Sequence, residues 1–189
     1  MAIAFDIIKF VQHVFIIAVL YAAMTWAADI LYTAYQQIFV AQGDCSQLSF
    51  QAMSILHMGL QIYIVVGLIM AALNAIASAA AKREAMLTGQ YPEGGINTGI
   101  GGSIVCMIFI MSAIVLNFAV TAIFDGAIVT LDNAFPIQPS SILYAFPQEQ
   151  LLFNLAHYIP LVMLFAGYLY MIFGAFALEV IDVVTGADY

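Results

Sequence analysis

The stretch SAAAKREAMLTGQYPEGG (Ser78–Gly95) separates two long apolar segments and carries Lys82 and Arg83, two of the three basic side chains among 189 residues. The apolar segment before it extends over about residues 50–81, and the one after it over about residues 97–124. A membrane-spanning helix needs about 20 predominantly apolar residues, so each segment is long enough to cross a bilayer. The proline and glycines near the end of the stretch favour a chain reversal. The stretch therefore predicts a hairpin between two transmembrane helices.

The overall composition is that of an integral membrane protein. Apolar residues make up 65% of the chain and charged residues 7%, whereas about a quarter of the residues in soluble domains are charged. The net charge of −8 opposes contact with nucleic acid, because neutralising phosphates requires clustered Lys and Arg. It also opposes a peripheral protein held on anionic lipid by a basic face. The lipid bilayer is therefore the first predicted partner, and no nucleic acid contact is expected.

Two further apolar segments complete a predicted set of four, one over about residues 5–40 and one over about residues 151–178. The first exceeds one crossing, so its second half (AADILYTAYQQIFV) is predicted to continue as an amphipathic helix beyond the bilayer or to tilt along the interface. Membrane strands would alternate apolar and polar residues over about 10 positions, and these segments are continuously apolar. We therefore predict an all-α polytopic membrane protein, a single domain over residues 1–189 with about four transmembrane helices and a long first helix.

The basic side chains predict the orientation in the membrane. Cytoplasmic loops next to membrane helices are enriched in Lys and Arg, so the segment with Lys82 and Arg83 is placed inside. Four crossings then put Lys9 and both termini inside, and place the turn around Cys45 and the connection over residues 125–149 outside. All three basic residues lie on one side in this topology, which supports the predicted orientation.

The first segment has a second interpretation as a cleaved signal peptide. Lys9 precedes an apolar run, and TWA at residues 25–27 loosely resembles a cleavage site. However, Asp6 lies in the region that would have to be basic, and the apolar run continues beyond the site. An uncleaved helix is therefore the preferred interpretation.

Sequence motifs for catalysis are not found. The chain has no phosphate-binding loop, nucleophile elbow or zinc-protease motif. The glycine-rich run GGINTGIGG lacks the Lys-Ser/Thr pair of a phosphate loop. Cys45 and Cys106 are predicted on the outer side and inside the third helix, which makes them free thiols rather than a bridge or a metal framework. We therefore predict no enzyme, no catalytic or cofactor-binding residues, no metal ligands and no cofactor.

Small residues recur every four positions on the two helices of the predicted hairpin. Such faces let helices approach closely in a membrane. They are predicted to pack against each other or against neighbouring subunits. The seven positions are Gly67, Ala71, Ala75 and Ala79 on the first helix, and Gly95, Gly99 and Ser103 on the second.

Four ionisable residues in the apolar segments are candidates for a polar site, since burying such groups in a membrane is costly. These residues are Asp29, His57, Asp125 and His157, all predicted towards the outer side. Together they would suit a proton relay or a zinc site, because zinc binds neutral imidazole and carboxylate. No two of them share a helix at ligand spacing, which favours residues that are hydrogen-bonded singly or lie at the interface.

The outer connection predicted over residues 125–149 is too apolar for a free loop. Its apolar residues would lie on the membrane surface, plug the bundle or dock on another subunit. Exposed apolar patches usually mark interaction sites. We therefore predict that the chain is a component of an assembly.

The hairpin GLIMAALNAIASAAAKREAMLTGQYPEGGINTGIGGSIVCMIFIMSAIVLNFAVTAIF (residues 67–124) resembles the central hairpin of small inner-membrane proteins of Dot/Icm-type (type IVB) secretion and conjugation systems. In both, an apolar helix ends in a short basic loop and the next helix starts with a glycine-rich run. The resemblance implies a non-enzymatic subunit of a multiprotein, envelope-spanning machine, with other membrane subunits as partners.

Three functions are compatible with the sequence. The preferred one is a structural or channel-forming subunit of a translocation or secretion apparatus, which would form homo-oligomers. The second is a structural membrane protein of a virus or of a pilus-like filament. The third is a small proton-linked transporter or channel that uses His57, His157 and the acidic groups. The lack of an internal repeat opposes a secondary transporter.

Overall fold

The computed structural model describes residues 2–88, 97–135 and 147–185. Within these ranges the chain is almost entirely helical and contains no strand. The helices are α1 (Ala2–Tyr35), α2 (Gln47–Thr88), α3 (Asn97–Val120), α4 (Gly126–Ala134) and α5 (Pro147–Thr185). A π-helical turn follows α1 at Gln36–Val40, and a second one joins α3 to α4 at Thr121–Asp125.

In the described residues, four helical stretches are long and apolar enough to cross a membrane, which confirms the predicted all-α polytopic fold. These stretches are Phe10–Val40, Gln47–Ile76, Gly101–Ala134 and Gln148–Phe173. The second and third run antiparallel. The Tyr63 hydroxyl donates to the Ser103 carbonyl oxygen at 3.0 Å, whereas Asn117, later in α3, reaches back to Ser49 at the start of α2.

The second helix is longer than the predicted segment over residues 50–81, because α2 continues to Thr88. The sequence predicts a loop at Lys82 and Arg83, whereas both residues lie in the helix. The run AAAKREAML consists of strong helix formers, which explains the extension. At 1.5 Å per residue, the 42 residues of α2 measure about 63 Å. The helix therefore extends well beyond the thickness of a bilayer core.

The third helix also continues further than predicted. It runs through α3, the π-helical turn and α4 without interruption, because the backbone is helical at both ends of that turn. The prediction of a connection from residue 125 onward is therefore wrong for its first part. Ile128 and Leu131 lie on α4. Residues 136–146 of the predicted connection lie outside the described ranges.

The first helix extends little beyond its predicted bounds, whereas the last helix exceeds them at both ends. α1 and its π-helical turn cover the predicted segment over residues 5–40. α5 starts at Pro147, where the missing N–H is tolerated in a first turn, and its last turns include residues predicted as an acidic tail. Pro160 lies inside α5 and is buried, yet the helix continues through it.

Glycines mediate the closest approach of α3 and α5. A Cβ added at Gly167 would lie 2.8 Å from the Phe109 Cβ and 3.3 Å from the Cys106 carbonyl oxygen. Gly102 also lies directly against the α5 backbone. Small residues let membrane helices pack at short distances. The buried core between the helices includes Ile17, Met53, Leu56, Leu60, Tyr63, Met107, Ile110, Ile114, Leu164 and Met171.

The predicted small-residue face of α2 changes from buried to exposed along the helix. Gly67 packs on α1, where an added Cβ would lie 3.1 Å from the Ile17 Cγ2. Ala71 is also buried, whereas Ala75 is half-buried and Ala79 is exposed. The buried part of this face thus includes a contact with α1.

The small-residue face of α3 is described only in part. Ser103 is buried and accepts the hydrogen bond from Tyr63. The predicted packing of Gly95 and Gly99 lies outside the described part of the chain. The same holds for the side chains of the three basic residues that predict the orientation, Lys9, Lys82 and Arg83. The orientation in the membrane therefore stays a prediction.

Candidate functional site

The four candidate ionisable residues form two separate pairs. Asp29 Oδ1 lies 2.7 Å from His57 Nε2, and Asp125 Oδ1 lies 3.2 Å from His157 Nε2. Each pair joins two different helices. Across the described ranges, no three His, Cys, Asp or Glu side chains are close enough together to hold a metal ion. The chemistry therefore has to be considered pair by pair.

The turn between α1 and α2 positions the residues that contact the Asp125–His157 pair. Gly43 has a φ of 78°, a left-handed conformation that glycine adopts without steric cost. The Asp44 N–H donates to the Phe39 carbonyl oxygen at 3.0 Å and satisfies an acceptor at the end of the first helix. This turn directs Cys45 and Ser46 towards the bundle.

Asp125 caps the start of α2 from another helix. The Ser46 hydroxyl accepts a hydrogen bond from the Ser49 N–H at 3.2 Å, as an N-cap serine does. In a capping box, a glutamate at the position of Ser49 would accept from the N-cap N–H. Here Asp125 Oδ2 takes that role and accepts from the Ser46 N–H at 2.8 Å. A carboxylate is favoured at this place because a helix N-terminus carries partial positive charge.

His157 is fully buried, and both of its ring nitrogens face acceptors. Nδ1 lies 2.7 Å from the Phe153 carbonyl oxygen and must therefore carry a hydrogen. Nε2 is in ion-pair contact with Asp125, although the two groups are not aligned as a hydrogen bond. Two unprotonated acceptors would repel each other at this distance, whereas an imidazolium and a carboxylate would attract each other. Such pairing lowers the cost of burying the two groups.

Further polar groups connect this pair to α1. The Tyr35 hydroxyl lies 3.1 Å from Thr121 Oγ1 and 3.1 Å from Cys45 Sγ. The Asn117 carboxamide donates to the Ser49 carbonyl oxygen at 3.5 Å. We call the whole set the polar network; its members are Tyr35, Cys45, Ser46, Ser49, Asn117, Thr121, Asp125 and His157. It joins α1, α2, α3 and α5 at one end of the bundle.

The residue types of a hydrolase triad are present in the polar network, but the geometry is not that of a triad. A catalytic imidazole takes the serine proton with one nitrogen while a carboxylate holds the other. In His157 one nitrogen faces Asp125 and the other is occupied by the Phe153 carbonyl, so neither is left for Ser49. Ser49 is also fully buried. The arrangement therefore fixes helices and does not activate a nucleophile.

The Asp29–His57 pair lies on the outside of the bundle. His57 stacks on Tyr32 with ring centroids 4.6 Å apart, which holds the imidazole against α1. The Asp29 side chain is 57% exposed, although the residue lies inside the span Phe10–Val40. It borders a shallow groove on α1 that is lined by Trp26, Asp29, Ile30, Thr33, Ala34 and Gln37. We call Trp26, Asp29, Thr33 and Gln37 the α1 polar face.

Alkylation of Cys45 is expected to require a higher pH than alkylation of an ordinary thiol. Burial raises the pKa of the Cys45 thiol, and only the thiolate reacts. Between pH ~7 and ~9 the thiolate fraction should stay below that of a free thiol, whose pKa is about 8.5. Maleimide labelling rates across this range, in a Cys106→Ala background, measure the effect. A midpoint at or below that of the same chain unfolded in detergent would contradict the burial of the thiol.

Several members of the polar network are not found from the sequence alone. A serine before an apolar run is an N-cap signal, so Ser46 could have been recognised in CSQLS. No glutamate stands at the position of Ser49, so the sequence contains no complete capping box. Nothing in the local pattern shows that this group is Asp125, which is distant in the chain.

Comparison with known proteins gives no match: no family model, no curated protein and no solved structure is similar to the chain. The function therefore has to be argued from the residues and their geometry.

Proposed function

We propose that the chain is a non-enzymatic structural subunit of a multiprotein translocation or secretion apparatus in the inner (cytoplasmic) membrane, with both termini cytoplasmic. The observation that carries the proposal is the α1 polar face, because its exposed polar side chains line a groove on a long apolar helix that a partner can fill. The resemblance of residues 67–124 to hairpins of type IVB systems supports the class of apparatus. The distribution of the basic residues supports the orientation.

The α1 polar face belongs to the least buried of the four spans. Only 11% of the apolar window of Phe10–Val40 is buried in the bundle, compared with 28% to 44% for the other three spans. Asp29, Thr33 and Gln37 follow one another at intervals of four residues and so lie along one side of the helix. Their polar groups would cost free energy if they faced hydrocarbon. A protein partner is therefore favoured over lipid at this face.

The chemistry of the face indicates which partner would fit. The Asp29 carboxylate accepts hydrogen bonds only, and His57 contacts one of its oxygens. A helix of another subunit that carries Arg, Lys, Asn or Ser at this depth would supply further donors. Trp26, which is 70% exposed, adds apolar and aromatic contact area beside the acid.

Replacing Asp29 and Thr33 together by leucine is expected to detach the partner subunits and to leave the bundle folded. Leucine suits a lipid-facing position, so the isolated chain should tolerate both changes. Loss of interhelical hydrogen bonds should weaken the complex by about tenfold or more. Native mass and co-purifying subunits after mild detergent extraction measure this outcome. Phe15→Leu, an exposed apolar change on the same helix, is the control.

Two results would contradict the proposed function. One is a wild-type chain that is extracted as a lone small oligomer with no other subunit. The other is a double variant that keeps every partner in wild-type amounts. If the double variant and the Phe15→Leu control lose partner subunits to the same extent, the polar groups themselves have no role in binding them.

A proton-linked role is the second candidate, and one observation favours it. Asp125 and His157 are two titratable groups that face each other across helices, and such pairs form the proton relays of proton-coupled membrane proteins. The same two groups also cap α2 and join it to α5. The variants that separate these roles are described in the Discussion.

A further inference from the structure

A second polar face lies on α2 and consists of Gln51, Ser54, Met58 and Gln61. Intervals of three and four residues place these side chains on one side of the helix. Gln51, Met58 and Gln61 are exposed, and Ser54 is half-buried. Gln61 lies at the middle of the span Gln47–Ile76, where the surrounding residues are apolar. We call this set the α2 carboxamide face.

The two glutamines on this face differ from Ser54 in the hydrogen-bond partners that their side chains can find. The Ser54 hydroxyl donates to the Phe50 carbonyl oxygen at 2.9 Å, within its own helix. A carboxamide has an acceptor oxygen and two N–H donors, and a helix interior has no free backbone N–H to donate to that oxygen. In a bilayer such side chains hydrogen-bond across helices and promote association. Gln61 therefore calls for a partner group at the depth of the membrane centre.

We propose that a second copy of this chain docks on the α2 carboxamide face, with the Gln61 side chains of the two copies hydrogen-bonded to each other. All copies insert into the membrane in the same orientation, so two α2 helices meet in parallel around a two-fold axis along the membrane normal. This symmetry places each residue opposite its own copy at the same depth. Only a group that both donates and accepts can pair with itself, and Gln61 and Gln51 meet that condition.

The same reasoning separates this surface from the α1 polar face. The Asp29 carboxylate cannot donate, so a copy of itself at the same depth would place two acceptors together. At Asp29 the α1 polar face therefore suits a different subunit, whereas Gln61 on the α2 carboxamide face suits an identical one. Met58 and Val65, which are both exposed on this side of α2, supply the apolar contact around the glutamines. The inference names a self-association surface within the assembly role proposed above and rests on that role.

Cysteine crosslinking in lipid vesicles tests the geometry directly. Single cysteines at Gln61, Met58 and Phe165 are placed in a Cys45→Ala, Cys106→Ala background and exposed to an oxidant. Gln61→Cys and Met58→Cys are expected to give disulfide-linked dimers. Phe165→Cys is the matched control, because Phe165 is exposed on α5 beside Leu164, which contacts Gly59 at a similar depth. Crosslinking that is as efficient at Phe165 as at Gln61 would overturn the proposal.

The strength of association tests the chemistry. Gln61→Leu is expected to weaken dimerisation by about 3- to 30-fold, because an interhelical hydrogen bond is lost. Gln61→Asn keeps a carboxamide and should retain most of the dimer affinity. Energy transfer between labelled chains at varied protein-to-lipid ratios measures the change. A chain that stays monomeric at all ratios, or a dimer that is unaffected by Gln61→Leu, would overturn the proposal.

Failure of this inference can be distinguished from failure of the proposed function. Loss of other subunits with an intact dimer would contradict the proposed apparatus alone. Retention of other subunits by a chain that shows no Gln61-dependent dimer would contradict the self-association surface alone. Docking of a different subunit on α2 would appear as a heterologous crosslink to Gln61→Cys, which also overturns the self-association proposal.

Discussion

Replacing His157 by leucine is expected to destabilise the bundle by about 3–5 kcal/mol, because the Asp125 carboxylate would stay buried without the imidazole that faces it, although it would keep the Ser46 N–H. The Asp125 side chain is 2% exposed and that of His157 is 0% exposed, so water cannot replace the lost contact. The change also removes the link between α5 and the cap of α2. The free energy of unfolding in detergent micelles measures the effect.

The exposed pair provides a matched control with the same chemistry. His57→Leu breaks the contact with Asp29, whose side chain is 57% exposed, so the expected loss is about 1 kcal/mol or less. An equal loss of unfolding free energy in His57→Leu and His157→Leu would contradict the view that burial makes the second contact more important for stability. The double variant Asp125→Asn, His157→Leu should recover part of the loss, because the uncompensated charge is gone.

These variants also decide between the two candidate functions. A structural role of the polar network requires that stability falls in His157→Leu. A variant that keeps its free energy of unfolding but loses proton flux across vesicles would contradict that role and would favour a proton-linked protein.

Substitution of Gly167 by valine is expected to cost about 1–3 kcal/mol, because it overpacks the contact between α3 and α5. An added Cβ alone would lie 2.8 Å from the Phe109 Cβ, and the nearby Cys106 carbonyl is rigid helix backbone. The helices would have to move apart along their closest contact. Loss of helicity during detergent titration of the purified chain measures the change.

Gly101 is the control for this prediction. An added Cβ there would meet no atom within 4 Å, so Gly101→Ala should stabilise α3 by about 0.5–1 kcal/mol through helix propensity. Destabilisation of similar size at both glycines would show that flexibility, and not close packing, determines the effect. A neutral Gly167→Val would contradict the tight contact of α3 with α5.

The existence of four spanning helices could be predicted from the sequence because length and hydropathy are local properties. The residues at which the helices end were harder to predict from the sequence. AAAKREAML continues α2 past Lys82 since its residues favour helix whether or not lipid surrounds them. The π-helical turn before α4 continues the third helix past Asp125, where charge and glycine suggest an end.

The sequence by itself was enough to predict a membrane protein with an all-α fold. It also showed which ionisable residues would be costly to bury. The tertiary structure decided which of these residues meet: Asp125 pairs with His157 and caps Ser46, whereas Asp29 pairs with His57 on the outside. The physical reason is that lipid is as apolar as the core. Apolar residues therefore occur on all sides of these helices, and only their packed arrangement shows which sides face one another.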